Sequence, residues 1–252
     1  MRAAVVIDYQ NVHLTAHDLF CPDAPRHEAL IHPMLFARAA LRERNAKQRD
    51  GYPTADTASV RVLVYRGLPH VDYDPAQNGR CQEQARVWRA AGVDVTLRDL
   101  TYRFERDASG ARVKDIHGKY IPKGPPEEKG VDVLCALAVV REARAKDVDL
   151  VVLASRDTDL VPALDEVCDM RHRDGSVAKI ETVSWFDRAA ERNFGHLRAT
   201  RPRSIWNTNL DRKVFEAAVD RRDYSGHASA SLPPPLTATP PSPAVLQRRL
   251  GL

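Results

Sequence analysis

Two aspartates stand at or just past the ends of apolar runs of the sequence, in positions where they could serve metal chemistry. Asp8 ends the run at 3–7, and Asp157 follows the run at 150–154. Such continuous apolar runs are typical of strands buried on both faces of a parallel sheet. The carboxyl ends of these strands form the edge where open α/β sheets bind ligands. If the two strands are neighbours, their aspartates share one acidic pocket; the alternative for each is a surface aspartate that ends a strand.

Asn11 and Asp132 are further candidates, and each also has a structural explanation. Asn11 could hold a phosphate or a metal-bound water, or it could cap the short helix that we expect at 12–20. Asp132 lies in the first turn of a predicted helix at 131–145, where an acidic side chain also meets the positive end of the helix dipole. The residue types alone leave both explanations open.

Asp159 completes the set, and it also stands where a helix should begin. Pro162 places the start of that helix near Asp159, because proline is tolerated in a first turn, where no intrahelical N–H bond is lost. Asp159 is therefore expected to act as a cap as well as a pocket residue. In this prediction Asp157 does not cap a helix, which makes it the better catalytic candidate.

An acidic pocket of this kind favours a hard metal ion. Two carboxylates about 4 Å apart repel each other by roughly 4 kcal/mol at an effective dielectric constant of about 20. Oxygen ligands without cysteine select Mg²⁺ or Mn²⁺. Such an ion makes a bound water a better nucleophile and neutralises charge on a phosphodiester in the transition state. The predicted metal ligands are Asp8, Asp132, Asp157 and Asp159, and the predicted activity is that of a metal-dependent phosphodiesterase.

A zinc site is an alternative that the sequence supports poorly. His13, His17 and Cys21 are spaced to lie on one face of a helix, as zinc ligands can be. No fourth ligand is evident, and Pro22 disturbs the end of the helix. A solvated helix face, or contacts to substrate, explains these residues better.

Three short motifs together resemble a known family. The segment 6–11 (VIDYQN) is similar to the opening of the NYN domain, a branch of the PIN-like nucleases. Residues 129–133 (KGVDV) resemble the middle motif of that family, and 155–159 (SRDTD) resemble its third motif. Each motif is weak alone, but all three occur in the family's order within roughly the first 200 residues.

The resemblance implies a fold and a substrate. The implied fold is a three-layer α/β/α sandwich with a mainly parallel five-stranded sheet in the order 3-2-1-4-5, which makes the strands carrying Asp8 and Asp157 neighbours. The implied substrate is RNA, single-stranded or structured, cut internally or trimmed during processing or decay. A catalytic set of Asp8, Asn11, Asp132, Asp157 and Asp159 follows, with Mg²⁺ or Mn²⁺ as cofactor.

Arg156 departs from the family pattern, which usually has glycine at this place. Its guanidinium could pair with Asp157 or Asp159 and compete with the metal, or it could reach a substrate phosphate. We favour the phosphate role, because a permanently inhibited pocket would leave the remaining acids without a purpose. If the competition wins, the chain would instead be an RNA-binding or regulatory module with a weakened or inactive nuclease site.

A small-molecule phosphatase with a Rossmann-like fold is a third hypothesis. It is the weakest of the three, because the residues after the first strand read Asp8-Tyr9-Gln10 and lack the nucleophilic Asp-x-Asp pattern.

The rest of the first 200 residues alternates helix and strand patterns. This alternation predicts an α/β domain at 1–200. Beyond the segments already named, we expect helices at 31–47, 75–91 and 187–197, and strands at 60–65, 93–97 and 177–183.

An insertion at about 100–121 interrupts this alternation. The segments 102–106 and 111–115 flank a Ser-Gly turn and predict a β-hairpin. Basic and aromatic residues interleave here, a composition that suits single-stranded nucleic acid but also an ordinary solvated hairpin. The predicted nucleic-acid contacts, in and around this insertion, are Arg103, Arg112, Lys114, Lys123, Lys129 and Arg156.

The last part of the chain has a different composition. Residues 201–224 are expected to form a basic extension against the domain. Residues 225–252 are rich in proline, alanine and serine, and we expect disorder there. The segment 244–252 could be a short amphipathic peptide for a protein partner or a homodimer.

Composition bounds the remaining possibilities. The net charge of +4 excludes a polycation, so any nucleic-acid surface must be a local patch. No apolar run reaches the ~18 residues of a membrane span, and no signal peptide is recognisable. The four cysteines are widely spaced and lack a Cys-x-x-Cys pattern. A reducing, cytoplasmic setting is therefore expected.

Overall fold

The fold is built on one sheet of six parallel strands in the order β3-β2-β1-β4-β5-β6. The computed structural model of the chain describes residues 1–190 and 193–224. The strands are β1 (Ala3–Asp8), β2 (Arg61–Leu68), β3 (Val93–Asp99), β4 (Leu150–Ala154), β5 (Lys179–Trp185) and β6 (Trp206–Leu210). The α-helices are α1 (Tyr9–Phe20), α2 (Pro33–Lys47), α3 (Pro75–Ala90), α4 (Val131–Ala143), α5 (Val161–Arg173) and α6 (Arg212–Ala218).

Helices cover both faces of the sheet, so the predicted α/β class is confirmed. Val5 and Ile7 of β1 point to a core shared with α1, α2, α3 and α6. Ala4 and Val6 point to a second core shared with α4 and α5. Because successive side chains of a strand alternate in direction, β1 is buried on both faces, as its unbroken apolar run indicates.

The sheet has six strands, and the prediction of five was wrong. β6 pairs in parallel with β5 along Glu181↔Trp206 to Trp185↔Leu210. Its polar sequence hid it, because Asn207 and Asn209 bond along the sheet surface instead of packing in a core. Asn207 donates to the Ser184 hydroxyl at 3.0 Å. The segment 201–224 is therefore not only a surface extension, since it supplies an edge strand of the sheet.

The predicted helix at 187–197 is also wrong for the part that the structure describes. Residues 186–190 and 193–197 contain no α-helix. The Asp187 backbone N–H donates to Asn193 Oδ1 at 2.7 Å, and Asn193 Nδ2 donates to the Asp187 carbonyl at 2.6 Å. A side-chain amide thus satisfies the backbone groups that a helix would have paired.

The insertion contains the predicted hairpin and a third segment that the sequence did not indicate. Arg106 and Arg112 form an antiparallel bridge, and Lys114 bridges to Tyr120. The three segments close a ring of backbone bonds: Val113 N–H donates to Glu105, Ile121 N–H to Val113, and Glu105 N–H to Ile121, at 2.9–3.1 Å. A further bridge, Thr101↔Glu127, extends the insertion beyond its expected end at about 121.

One buried ion pair ties α2 to the sheet. Arg44 donates from Nε and Nη2 to the two carboxylate oxygens of Glu181 at 2.9 and 2.8 Å. Both side chains are almost fully buried, and Lys179 adds a second cation at 2.8 Å from Glu181. These contacts hold the pKa of Glu181 low against the opposing effect of burial.

Among the residues that the structure describes, no helix has the length and apolar character needed to cross a membrane. The tail at 225–252, with its expected disorder and the peptide at 244–252, lies outside the described residues.

Candidate acidic active site

The carboxyl ends of β1 and β4 lie side by side, as the strand order implied by the family resemblance predicts. Ile7 of β1 is in register with Ala154 of β4. Asp8 and Ser155 therefore leave the sheet next to each other, and Ser155 Oγ donates to Asp8 Oδ2 at 2.9 Å. The same hydroxyl accepts from the Asp157 backbone N–H at 3.1 Å. Ser155 thus joins the two predicted catalytic aspartates, a role that sequence reasoning did not assign to it.

Asp8, and not Asn11, caps helix α1. The Asp8 carboxylate accepts from the Asn11 N–H at 3.3 Å, which satisfies a free donor of the first turn. The Asn11 side chain instead accepts from the Arg156 N–H at 3.0 Å, so it links the loop after β1 to the loop after β4. The expectation of Asn11 as the cap was wrong because the helix begins earlier, at Tyr9.

The capping roles of Asp157 and Asp159 are also the reverse of the prediction. Asp157 caps a short 3₁₀ turn and accepts from the Asp159 N–H at 3.0 Å. Asp159 is exposed and lies inside that turn. The 3₁₀ turn delays the start of α5 to Val161, which leaves Pro162 in the first turn as expected. Asp157 therefore has a structural duty as well as its place in the acidic site.

Two more carboxylates approach from the segment that leads into α4. Gly130 precedes the helix with φ of +76°, a left-handed conformation that favours glycine, and Asp132 follows in the first turn of α4. Glu128 accepts from the Gly67 N–H on β2 and, through both its oxygens, from the Gln10 amide at 3.0 and 3.2 Å. The sequence prediction missed Glu128; its place directly before the Lys129-Gly130 motif was the available signal.

Burial raises the pKa of two of these acids, Asp8 and Glu128. Burial raises the pKa of Asp8 to about 6; the bonds from Ser155 and Asn11 oppose this shift, and the charges of Asp157 and Asp132 add to it. The pKa of Glu128 is also raised, first by burial and further by the charges of Asp8 and Asp132, while the bond from Gly67 and the charge of Arg66 oppose the shift. Asp8 is therefore near the charges of Asp132 and Asp157, and Glu128 is near those of Asp8 and Asp132. A buried carboxylate with a raised pKa at a sheet edge is typical of functional sites.

The donor chemistry of this cluster fits a hard divalent ion, while its geometry does not form a ready cage. All four side chains offer carboxylate oxygens, the ligands that Mg²⁺ and Mn²⁺ prefer. Within the described residues, no group of three or more His, Cys, Asp or Glu side chains is arranged to hold a metal. Mg²⁺ commonly keeps several waters and uses only one or two protein carboxylates, so Asp8 and Asp157 are the residues that would hold it.

Arg156 does not pair with either neighbouring aspartate in the described structure. Its guanidinium lies over the Phe194 ring, with Cζ 4.2 Å from the ring centroid. No described residue other than glycine has a positive φ, so the loop at Arg156 does not need the left-handed backbone that would favour glycine. The charge is held at the rim of the site, where it does not block the carboxylates.

The predicted nucleic-acid contacts of the insertion are largely engaged by the protein itself. Arg112 lies over the rings of Phe104 and Tyr120 at 5.0 and 5.5 Å, and Lys114 lies 5.1 Å from the Tyr120 centroid. Arg103 and Lys129 both pair with Glu127. Lys123 is exposed. The aromatic rings also pack against one another, for example Tyr73 on Tyr102 at 4.8 Å, so open stacking faces are few among them.

The histidines of α1 contact backbone carbonyls of the segment that follows the helix. His13 Nε2 lies 2.8 Å from the Arg26 carbonyl, and His17 Nε2 lies 2.7 Å from the Ala24 carbonyl. Both rings therefore fasten the segment after α1 to the helix. This arrangement explains the spacing that resembled a zinc site.

Comparisons with known proteins add little to this geometry. No protein-family model matches the chain, and no curated protein matches it. A similar solved structure is that of a protein of unknown function from Vibrio parahaemolyticus, with a TM-score of 0.38 and 17% identity over 72% of this chain and 80% of that one. A likeness this weak carries no argument about function.

Proposed function

We propose that the chain is a Mg²⁺- or Mn²⁺-dependent ribonuclease that hydrolyses RNA phosphodiester bonds. The observation that supports this most strongly is the cluster of Asp8, Glu128, Asp132 and Asp157 at the carboxyl edge of the sheet, where burial and repulsion raise the pKa of Asp8. Carboxylates that repel one another at one site are costly unless a cation neutralises them. The NYN resemblance supplies RNA as the substrate class.

The residues of the chain would divide the work. Asp8 and Asp157 would hold the ion, which supplies an activated water and neutralises charge on the phosphate. Ser155 keeps these two loops in a fixed relation through its hydrogen bonds, and Asn11 fixes the backbone at Arg156. Arg156, held on Phe194, would meet a phosphate of the substrate.

A second candidate function is an RNA-binding or regulatory module without catalysis. It is favoured by the use of both Asp8 oxygens in hydrogen bonds, to Ser155 and to Asn11, and of Asp157 as a cap. In that case the carboxylates serve to fasten the loops together.

Cleavage of a mixed single-stranded RNA pool by purified protein separates the two candidates. We expect cleavage with Mn²⁺ or Mg²⁺ that stops with chelator and is lost in Asp8→Asn and Asp157→Asn. The matched control is Asp147→Asn, which removes an exposed carboxylate paired with Arg61 near the amino end of β4. If folded wild-type protein binds RNA but never cuts it at any metal concentration, the second candidate is correct. If either site variant cuts as fast as wild type, the site is misassigned.

A further inference from the structure

A large cleft opens next to the acidic site, between α1, the end of β2, α3 and the segment after α6. It has a volume of about 1190 Å³, enough for a nucleotide. Gln10 and Glu128 line one end of it, so the cleft is continuous with the acidic site. Arg66, near the carboxyl end of β2, lines its wall.

Arg66 is a buried cation without a carboxylate partner in the described part of the chain. Arg66 is only 9% exposed. The guanidinium lies over the rings of Tyr9 and Trp88, with Cζ 4.6 and 5.7 Å from their centroids. Nη1 donates to Gln84 Oε1 at 2.5 Å, and Gln84 is itself buried. Buried arginines are usually paired with an acid, because an uncompensated charge is expensive to desolvate.

The surrounding contacts hold this guanidinium rigidly in place. Two aromatic faces and one neutral amide orient the group. The Glu128 carboxylate lies near enough to interact with the Arg66 charge, but no ion pair joins the two among the described residues. An arginine presents five N–H donors in a planar fork that matches the oxygens of a phosphate. The arrangement is that of a prepared anion site, in which the missing negative charge comes from a ligand.

We propose that Arg66 binds a phosphate group of the RNA strand in this cleft, beside the acidic site. The proposal rests on the proposed function for the identity of the ligand as RNA. The cleft wall carries five arginines and five acidic residues, so it is not a basic channel as a whole. Glu128 and Asp220 among these acids accept hydrogen bonds from Gly67 and from Trp88, and neither forms an ion pair with Arg66 in the described part of the chain. Arg66 therefore keeps N–H donors for an anionic ligand.

The phosphate could be an internal diester or a terminal 5′-phosphate, and both offer the same oxygens to the guanidinium. A short single-stranded RNA carrying either a 5′-phosphate or a 5′-hydroxyl distinguishes them. An internal contact gives equal affinity for the two probes, whereas a terminal contact makes the 5′-phosphate probe bind more tightly.

The test measures binding of these probes by fluorescence anisotropy in an Asp157→Asn background, in which cleavage is not expected. Gln84→Glu is the informative variant, because it sets a carboxylate against Arg66 and neutralises the site without emptying the core. Arg66→Gln removes the charge directly, and Arg66→Lys keeps the charge but loses the fork. Arg86→Gln is the control. Arg86 lies on α3, the helix that carries Gln84; it is exposed and pairs with Glu83 outside the cleft.

We expect Gln84→Glu and Arg66→Gln to weaken RNA binding about ten- to a hundredfold, as loss of a charge-assisted contact does, and to reduce the salt dependence by about one phosphate contact. Arg66→Lys should fall between these variants and wild type, and Arg86→Gln should bind as wild type. A thermal shift with inorganic phosphate should appear in wild type and disappear in Gln84→Glu, which tests the site even if Arg66→Gln fails to fold.

Failure of this inference is distinguishable from failure of the proposed function. If wild-type protein cuts RNA and folded Gln84→Glu binds RNA and phosphate as wild type does, the Arg66 site is wrong and the nuclease assignment stands. If phosphate and RNA binding depend on Arg66 but no metal supports cleavage, the anion site stands and the nuclease assignment is wrong.

Discussion

Replacing Asp8 by asparagine should stabilise the metal-free protein at neutral pH while removing its metal response. Asp8 is buried, and its pKa in the folded protein rises from an ordinary 3.8 to about 6. A carboxyl whose pKa is higher in the folded than in the unfolded state holds its proton more strongly when folded. Its contribution to stability therefore falls as pH rises between these two pKa values and stays low above the higher one.

The size of the effect follows from the same two pKa values. Ionised Asp8 costs the fold roughly 3 kcal/mol above pH ~6. Asparagine carries no charge, and its carbonyl can still accept from the Asn11 N–H as a helix cap. Its amide can donate to Ser155 Oγ, which has a lone pair free after accepting from Asp157. We expect Asp8→Asn to raise the free energy of unfolding by about 1–3 kcal/mol at neutral pH, less than the full cost of the charge where the amide bonds more weakly than the carboxylate. At pH ~4, where folded Asp8 is already protonated, we expect little gain.

Urea unfolding with chelator, from about pH 4 to about pH 8, measures this difference. The advantage of Asp8→Asn should grow as pH rises through the window between the two pKa values. In a second arm, Mn²⁺ should raise the melting temperature of wild type by stabilising the folded state and should raise that of Asp8→Asn much less. Asp147→Asn, an exposed change, should follow wild type in both arms.

Two results would refute this reasoning. If Asp8→Asn is less stable than wild type at every pH, the hydrogen bonds of the carboxylate outweigh its desolvation, and Asp8 is a structural cap. If Mn²⁺ stabilises both proteins equally, the ion binds elsewhere.

Three further changes have defined outcomes. Arg44→Met should destabilise the fold by about 3–5 kcal/mol in urea unfolding, because Glu181 would lose its main buried partner. A loss under about 1 kcal/mol would show that Lys179 alone compensates the Glu181 charge. Arg156→Gly should weaken RNA binding by about 1–3 kcal/mol and lower the salt dependence of that binding, with no change in the Mn²⁺ affinity measured by calorimetry. Tighter Mn²⁺ binding with unchanged RNA affinity would mean that the arginine competes with the metal. Removing residues 225–252 should leave melting temperature and cleavage unchanged, whereas a drop of several degrees would show that the tail docks on the domain.

The sequence predicted those parts of the fold that depend on local pattern. Continuous apolar runs identified β1 and β4 as central strands, because a parallel sheet covered by helices requires apolar side chains on both faces. The same pattern put Asp8 and Asp157 at the carboxyl edge, where the structure has them joined through Ser155. The strand β6 escaped prediction because its asparagines bond to side chains on β5, and a polar edge strand carries no apolar signal.

The sequence by itself determined which residue types stand at the ends of the central strands, and therefore that the sheet edge is acidic. Only the tertiary structure decided how those residues are used. It brought Glu128 from a distant segment onto Gly67 and gave the capping roles to Asp8 and Asp157. It also buried Arg66 against two rings, with no ion pair to an acid among the described residues. The physical reason is that burial, and the hydrogen bonds made across segments far apart in the chain, depend on which strands become neighbours. A linear pattern records neither.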